Sequence, residues 1–470
     1  MKKLILAAVL ETAAIVVLAA VILHFTLEAP VKAPVFSRPD KTILEKHKSN
    51  LNQIFVAWKK AEQVSGYELR YSRSAGFTDC GTSRVNSGTT KYILKNLKPG
   101  SDLYLRLRTY KTEENGAVTR YSEYSPPYHL RTLTLRQRAG QILKAMSMPE
   151  KAGQMIFAQY GRGSGVKALK KYHYGGYLLF ADFFAGRDRS SVKHRLAELQ
   201  NGSRVKLLLG VDEEGGTVNR VSLYPAYRNT SFKSPQSLYK SGGMAAIRSD
   251  TEEKCSLLKS LGINTNFSPV ADVPYRSSDF MYPRAFSTNA DSAAEYIRST
   301  VGVMKENNVA AMLKHFPGYG GNGDTHTLIV HDARSLQSFK NRDLKPFRAG
   351  IESGCPMILV SHNIVECFDK ENPATLSAVV HRYLRKNLGF DGVVITDGMG
   401  MAGVRKPGEG NGDIAVRAVL AGNDMLCTPY GQESYNAILN AVKSGKIKKR
   451  QIDRSVLRIL MLKLKLGILR

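Results

Sequence analysis

The stretch KHFPGYGGNGDTHT, Lys314 to Thr327, gathers a lysine, two histidines and an aspartate around a run of glycines. In an extended backbone residues i and i+2 face the same way, so Asp324 and His326 are expected to face one another with Thr325 turned aside. The carboxylate would fix the imidazole tautomer and raise its proton affinity, suiting His326 to give a proton and later take one back. Gly318, Gly320, Gly321 and Gly323 permit the unusual backbone such a loop needs and would let it close over a bound molecule. Glu214, in the acidic run Asp212-Glu213-Glu214, is the alternative proton donor. No histidine stands at ligand spacing from that run, which argues against a metal site there.

Other reactive residue types fall at the ends of short apolar runs. Asp212 ends VKLLLGVD, Asp272 ends NTNFSPVAD, Lys314 and His315 close AAMLKHF, His362 ends PMILVSH and Asp397 ends GVVITD. With QMIFAQY, GGYLLF and DMLCTP these make eight strand candidates. Amphipathic segments such as SAAEYIRSTVGVMKENN separate them, which predicts an α/β fold, a (β/α)8 TIM-type barrel over residues 134–470. In such a barrel the C-terminal strand ends converge on the face where active sites are built. No GxGxxG follows the first strand, so a dinucleotide-binding sheet lacks support.

The preceding region has a different texture. IFVAWKKA, GYELRYS, KYILKNL and DLYLRLRTY place apolar residues at every second position, the period of a half-buried strand, and predict an all-β sandwich over residues 40–133. Trp58, Tyr67, Leu69, Tyr71 and LKPGSDLYLRLRTY resemble a fibronectin type III domain, with Tyr104 expected at the corner-tyrosine position. Residues 26–39 read as a linker carrying Pro30, Pro34 and Pro39. Residues 1–25 carry Lys2 and Lys3 ahead of an apolar run long enough to cross a bilayer, which predicts a signal anchor or signal peptide. A membrane anchor with an extracytoplasmic catalytic domain, or secretion after cleavage, follows from it; Glu11 in mid-segment weakens the anchor reading. The net charge of +28 on 470 residues suits an anionic surrounding such as a cell wall. No zinc-finger spacing or basic recognition helix is present, which argues against nucleic acid. The five cysteines show no CxxC spacing and read as buried apolar residues.

The ordered blocks MSMPEKAGQM, GGYLLF, GVDEEGGTVNRV, LGINTNFSPVADV, RAFS, KHFPGYGGNGDTHT, SHNI, LGFDGVVITDGMGM and AGNDMLC resemble family 3 glycoside hydrolases, in the branch of β-N-acetylglucosaminidases acting on peptidoglycan sugars. The resemblance implies Asp397 as catalytic nucleophile and the Asp324–His326 dyad as acid/base in a retaining mechanism. It further implies that Asp212, Arg220, Arg284, Lys314 and His315 bind a GlcNAc-containing carbohydrate, with no metal and no cofactor. Structural ion pairing is the competing reading for Arg220, Arg284 and Lys314, and a satisfied core histidine is that for His315. Tyr319, Thr217 and Gly398 depart from the family pattern, where histidine, arginine and a second aspartate are common. β-Glucosidase or phosphorylase specificity, and a silent wall-binding barrel, are the rival expectations.

Overall fold

The computed structural model describes residues 44–112, 118–161, 163–405 and 408–469. The expected anchor (1–25) and linker (26–39) lie outside the described residues. Among the described residues no helix is long and apolar enough to cross a membrane. The chain divides into two units between Thr134 and Leu135.

In the first unit β1 (Leu44–Ser49), β2 (Ile54–Trp58) and β5 (Lys91–Leu94) form one antiparallel sheet. The other contains β3 (Gly66–Ser72), β4 (Cys80–Asn86), β6 (Asp102–Thr112), β7 (Val118–Tyr121) and β8 (Tyr128–Arg131). Alternation sends Ile54, Val56 and Trp58 of β2 and Leu103, Leu105 and Leu107 of β6 into a shared core. The same alternation corrects the expectation for Tyr104. With Leu103 and Leu105 inward, Tyr104 faces out and stacks on His129 at 4.9 Å, so it is no corner tyrosine.

The second unit is a parallel barrel of β9 (Ile156–Gln159), β10 (Gly176–Leu178), β11 (Leu208–Val211), β12 (Thr265–Asn266), β13 (Ala310–Phe316), β15 (Met357–Val360), β17 (Val393–Thr396) and β18 (Leu426–Thr428). Its order is β17-β15-β13-β12-β11-β10-β9-β18, and a parallel bridge between Ile395 and Met425 joins the two ends. A short pair, β14 (His331–Asp332) with β16 (Ile364–Val365), lies apart from this sheet. All four residues of β11, β15 and β17 are buried, as strands covered on both faces must be. Phe157 and Phe267 meet edge to face at 5.3 Å inside the barrel, and Gly210 makes room for them. A Cβ on Gly210 would stand 2.7 Å from the Phe267 ring.

Local chemistry sets the helix ends. Ser147 and Glu150 form a capping box at the start of Met148–Gln154, each side chain satisfying the other's backbone N–H. The last helix, Lys449–Lys465, buries Ile452, Val456, Ile459 and Leu460 as a barrel helix rather than a membrane-facing one. It also buries Lys463, whose ammonium donates to Gln154 Oε1 (2.7 Å) and the Gly175 carbonyl (2.8 Å), with no carboxylate partner among the described residues. Burial pushes this lysine down to about 7. Between pH 7 and its unfolded value the unfolded chain holds a proton that the folded chain does not, so the penalty is full below pH 7 and relieved as pH rises. The stability of the protein relative to a Lys463→Met variant is therefore expected to increase from pH 7 to pH 9. Denaturant titrations at the two pH values check it, and a constant difference would contradict it.

Candidate active site

The C-terminal strand ends enclose a cavity of about 520 Å³. Asp212, Arg220, Arg284, Lys314, His315, His326 and Asp397 all line it, while Asp324 sits behind His326. The structure thus brings the expected catalytic and sugar-binding residues to one place, whereas Asp272 and His362 do not line the cavity and bond His315 and the Gly398 carbonyl behind it.

Two successive residues of β13, Lys314 and His315, reach this cavity although a regular strand alternates its faces. The register explains it: Leu313 pairs with Ile358 and Phe316 with Val360, so β13 carries one extra residue, a bulge that re-aims its side chains. Lys314 Nζ lies 2.6 Å from Asp212 Oδ1 and 2.5 Å from Glu214 Oε1. Burial would lower the lysine, but Asp212 and Glu214 prevail and hold it above its ordinary value. His315 Nδ1 donates to Asp272 Oδ2 at 2.7 Å. Its Nε2 faces Arg284, whose Nη2 is 3.4 Å away.

Each member of the acidic run has its own task. Glu213, fully buried, accepts the backbone N–H groups of Arg220 (2.8 Å), Val221 (2.7 Å) and Ser222 (3.1 Å), folding the loop that carries Arg220. Gly215 (φ +98°) makes the turn at its start, where a Cβ would meet the Lys233 carbonyl at 2.3 Å. Glu214 takes two bonds from Arg284, at 3.0 and 2.7 Å, beside the Lys314 contact. Burial pushes the Glu214 carboxyl up, but Arg284 and Lys314 overcome it and hold it far below the carboxylate range. Glu214 is therefore held as an anion paired with Arg284 and Lys314, an arrangement that disfavours it as the alternative acid. Arg284 and Lys314 do make the ion pairs weighed against them, yet still present donors to the cavity. Arg220 has no carboxylate within 4 Å among the described residues, so the ion-pair reading fails for it alone.

Asp397 follows β17. Its backbone N–H bonds Val360 O (3.0 Å) and its Oδ1 accepts the Gly398 N–H at 2.7 Å. Burial pushes its carboxyl up, but His315, His362, the Gly398 N–H and Lys314 together hold it below the ordinary value, so it is ionised. His362, fully buried, donates from Nε2 to Gly398 O at 3.1 Å. Burial keeps that imidazole neutral.

The loop beyond β13 behaves as the i, i+2 argument requires. His326 Nδ1 donates to Asp324 Oδ1 at 2.5 Å, whereas Thr325 is fully buried. The His326 side chain is 59% exposed, leaving Nε2 accessible to a bound molecule. Contributions that patterning did not reveal are Glu213 as loop organiser, the double service of Asp272 to His315 and the Tyr319 backbone, and the lining residues Gln159, Phe180 and Met401. A polar residue ending an apolar run was the available signal for Asp272; Glu213 offered none beyond its acidic neighbours.

A family model described as "Glycosyl hydrolase family 3 N terminal domain" matches residues 147–462, and one for the fibronectin type III domain matches residues 42–124. The chain is 30% identical over 278 residues to a beta-hexosaminidase of Methylococcus capsulatus, covering 57% of this chain and 80% of that protein. A beta-hexosaminidase of Xylella fastidiosa is 34% identical over 279 residues, covering 57% and 79%. Among solved structures, a family 3 beta-N-acetylglucosaminidase from a Paenibacillus species matches with a TM-score of 0.64 and 30% identity. That alignment covers 69% of this chain and 63% of the Paenibacillus chain, so less than two thirds of the latter is spanned.

Proposed function

The chain belongs to glycosyl hydrolase family 3 and is a glycoside hydrolase, and on that premise we propose that it is a retaining exo-β-N-acetylglucosaminidase acting on peptidoglycan-derived or related glycans. The observation that carries this reading is a single cavity lined by an ionised Asp397 and an accessible His326 whose Nδ1 is held by a carboxylate. Asp397 attacks the anomeric carbon as the bond to the leaving oxygen breaks, and His326 gives that oxygen its proton from Nε2. His326 then takes a proton from water, the water oxygen bonds the anomeric carbon, and the Asp397 carboxylate is released. Asp212, Lys314, His315, Arg284 and Arg220 hold the sugar hydroxyls and the acetamido-bearing ring through charge-assisted bonds.

Exo-action is part of this reading, with Phe267, packed edge to face on Phe157 inside the barrel, among the residues that line the cavity. The acetamido preference draws support from the names of the relatives, beta-hexosaminidase and beta-N-acetylglucosaminidase. Residues 30–470 are expected to hydrolyse a chromogenic β-GlcNAc with a kcat/KM about 10²-fold or more above that for the matching β-glucoside. Equal or reversed values would move the specificity to β-glucosidase. On this reading residues 1–25 carry the barrel to the outer side of a membrane, which fractionation of the full chain beside residues 30–470 tests.

A further inference from the structure

The dyad stands on a stretch that the sequence makes loose. Gly320, Gly321, Asn322 and Gly323 precede it, and Asp324 and His326 bond mainly to each other. A fully buried link runs beneath them. Thr325 Oγ1 lies 2.6 Å from the Tyr319 hydroxyl, with Thr325 fully buried and Tyr319 2% exposed. Tyr319 is itself fixed: its backbone N–H donates to Asp272 Oδ1 at 2.8 Å, and its ring stands edge-on to His315 at 5.3 Å. Asp272 also orients His315, so one carboxylate sets both a sugar-facing imidazole and the root of the loop.

A second restraint comes from the chain after Asp397. Gly403 N–H donates to Thr325 O (3.0 Å) and Ala402 N–H to His326 O (3.2 Å). A Cβ on Gly403 would stand 3.0 Å from Thr325 O, so the contact is close packed. The backbone bonds hold the loop against the nucleophile's own loop, and the Thr325 side chain is the contact that resists rotation of the peptide planes on either side of it. Burial and the charge of Asp397 push the Tyr319 phenol up, so it remains a neutral hydroxyl able to share this bond across the working pH range.

We propose that the Tyr319–Thr325 hydroxyl pair is a latch that positions the Asp324–His326 dyad for proton transfer, with Tyr319 and Thr325 acting as positioning residues. The proposal rests on His326 being the acid/base, and the test separates the two. Phenyl β-GlcNAc needs its leaving oxygen protonated; the 2,4-dinitrophenyl glycoside does not. Tyr319→Phe and Thr325→Val are expected to lower kcat/KM about tenfold or more on the phenyl substrate, because small misplacement of a catalytic group is costly. On the dinitrophenyl substrate kcat/KM stays within about twofold. Thr325→Ser, which keeps the hydroxyl, restores the phenyl activity, and in a His326→Ala background neither latch variant costs anything further.

Equal losses on both substrates, losses that multiply in the His326→Ala background, or no loss on either substrate would overturn the latch. If Tyr319→Phe does not fold, the Thr325→Val and Thr325→Ser pair interrogates the same bond from its other end. If His326→Ala itself fails to discriminate the two leaving groups, the acid/base reading falls instead.

Discussion

Replacing Asp397 with alanine is expected to lower kcat/KM for a chromogenic β-GlcNAc by about 10⁴-fold or more while the barrel remains folded. The two halves of that expectation have separate grounds. Of the carboxylates that line the cavity, Asp212 is engaged by Lys314, and Glu214 by Lys314 and Arg284, whereas Asp397 accepts, among the described residues, only the neighbouring Gly398 N–H. That solitary bond also explains why the fold should survive, since alanine leaves one loop N–H to find another partner rather than a buried ion pair without its anion. Unchanged circular dichroism with abolished turnover is the expected pair of results. Trapping supplies the complement: a slow 2-fluoro sugar substrate should leave a covalent adduct on Asp397 that peptide mass analysis locates. Residual activity above about 1% in a folded Asp397→Ala protein would remove Asp397 as nucleophile.

The fold was legible where the physics is local. All eight barrel strands fall within the runs picked out from the sequence, since strands buried on both faces are mostly apolar; polar exceptions include Thr265 and Asn266 of β12 and Lys314 and His315 of β13. The run NTNFSPVAD promised a full strand, yet only Thr265 and Asn266 enter the ladder. Pro269 has no N–H to contribute, and Asn266 instead bonds the Glu213 backbone through its side chain, at 3.0 Å in both directions. In the sandwich, β4 reads CGTSRVN and β1 LEKHKS, with no apolar period at all. Both lie at sheet edges, where solvent meets one side and sequence composition relaxes.

The site divides the same way. Asp212, Lys314, His315 and Asp397 could be found because each ends a buried run, and the Asp324–His326 pair because two residues suffice to state it. Arg220 and Arg284 sit on loops of no fixed period, and only resemblance pointed to them. What no spacing encodes is partnership at a distance. Glu214 meets Lys314 across 100 positions, and with Arg284 that contact holds the glutamate as an anion. Glu214 thereby serves as a fixed anion orienting two cations, a task its place beside Asp212 did not disclose.

Replacing His326 with alanine is expected to produce a loss whose size depends on the leaving group. A poor leaving group such as phenol requires a proton as the glycosidic bond breaks, so kcat/KM for its glycoside should fall by about 10² to 10⁴. 2,4-Dinitrophenolate departs unaided, and kcat/KM for its glycoside should change little, since that ratio reports only the steps through the first bond cleavage. The second half-reaction behaves differently, because water still lacks its base. With the dinitrophenyl substrate kcat and KM should therefore fall together as the glycosyl-enzyme accumulates. Azide, a nucleophile that needs no deprotonation, should restore kcat and yield a β-glycosyl azide. A uniform loss across leaving groups, with no response to azide, would mean that His326 holds the sugar rather than moves a proton. The geometry bears on that choice: Nδ1 is committed to Asp324 at 2.5 Å, and the ring stands at the open side of the cavity, whereas Lys314 and His315 lie buried within its wall. A group at the mouth meets the departing aglycone, and a group in the wall meets the sugar that stays.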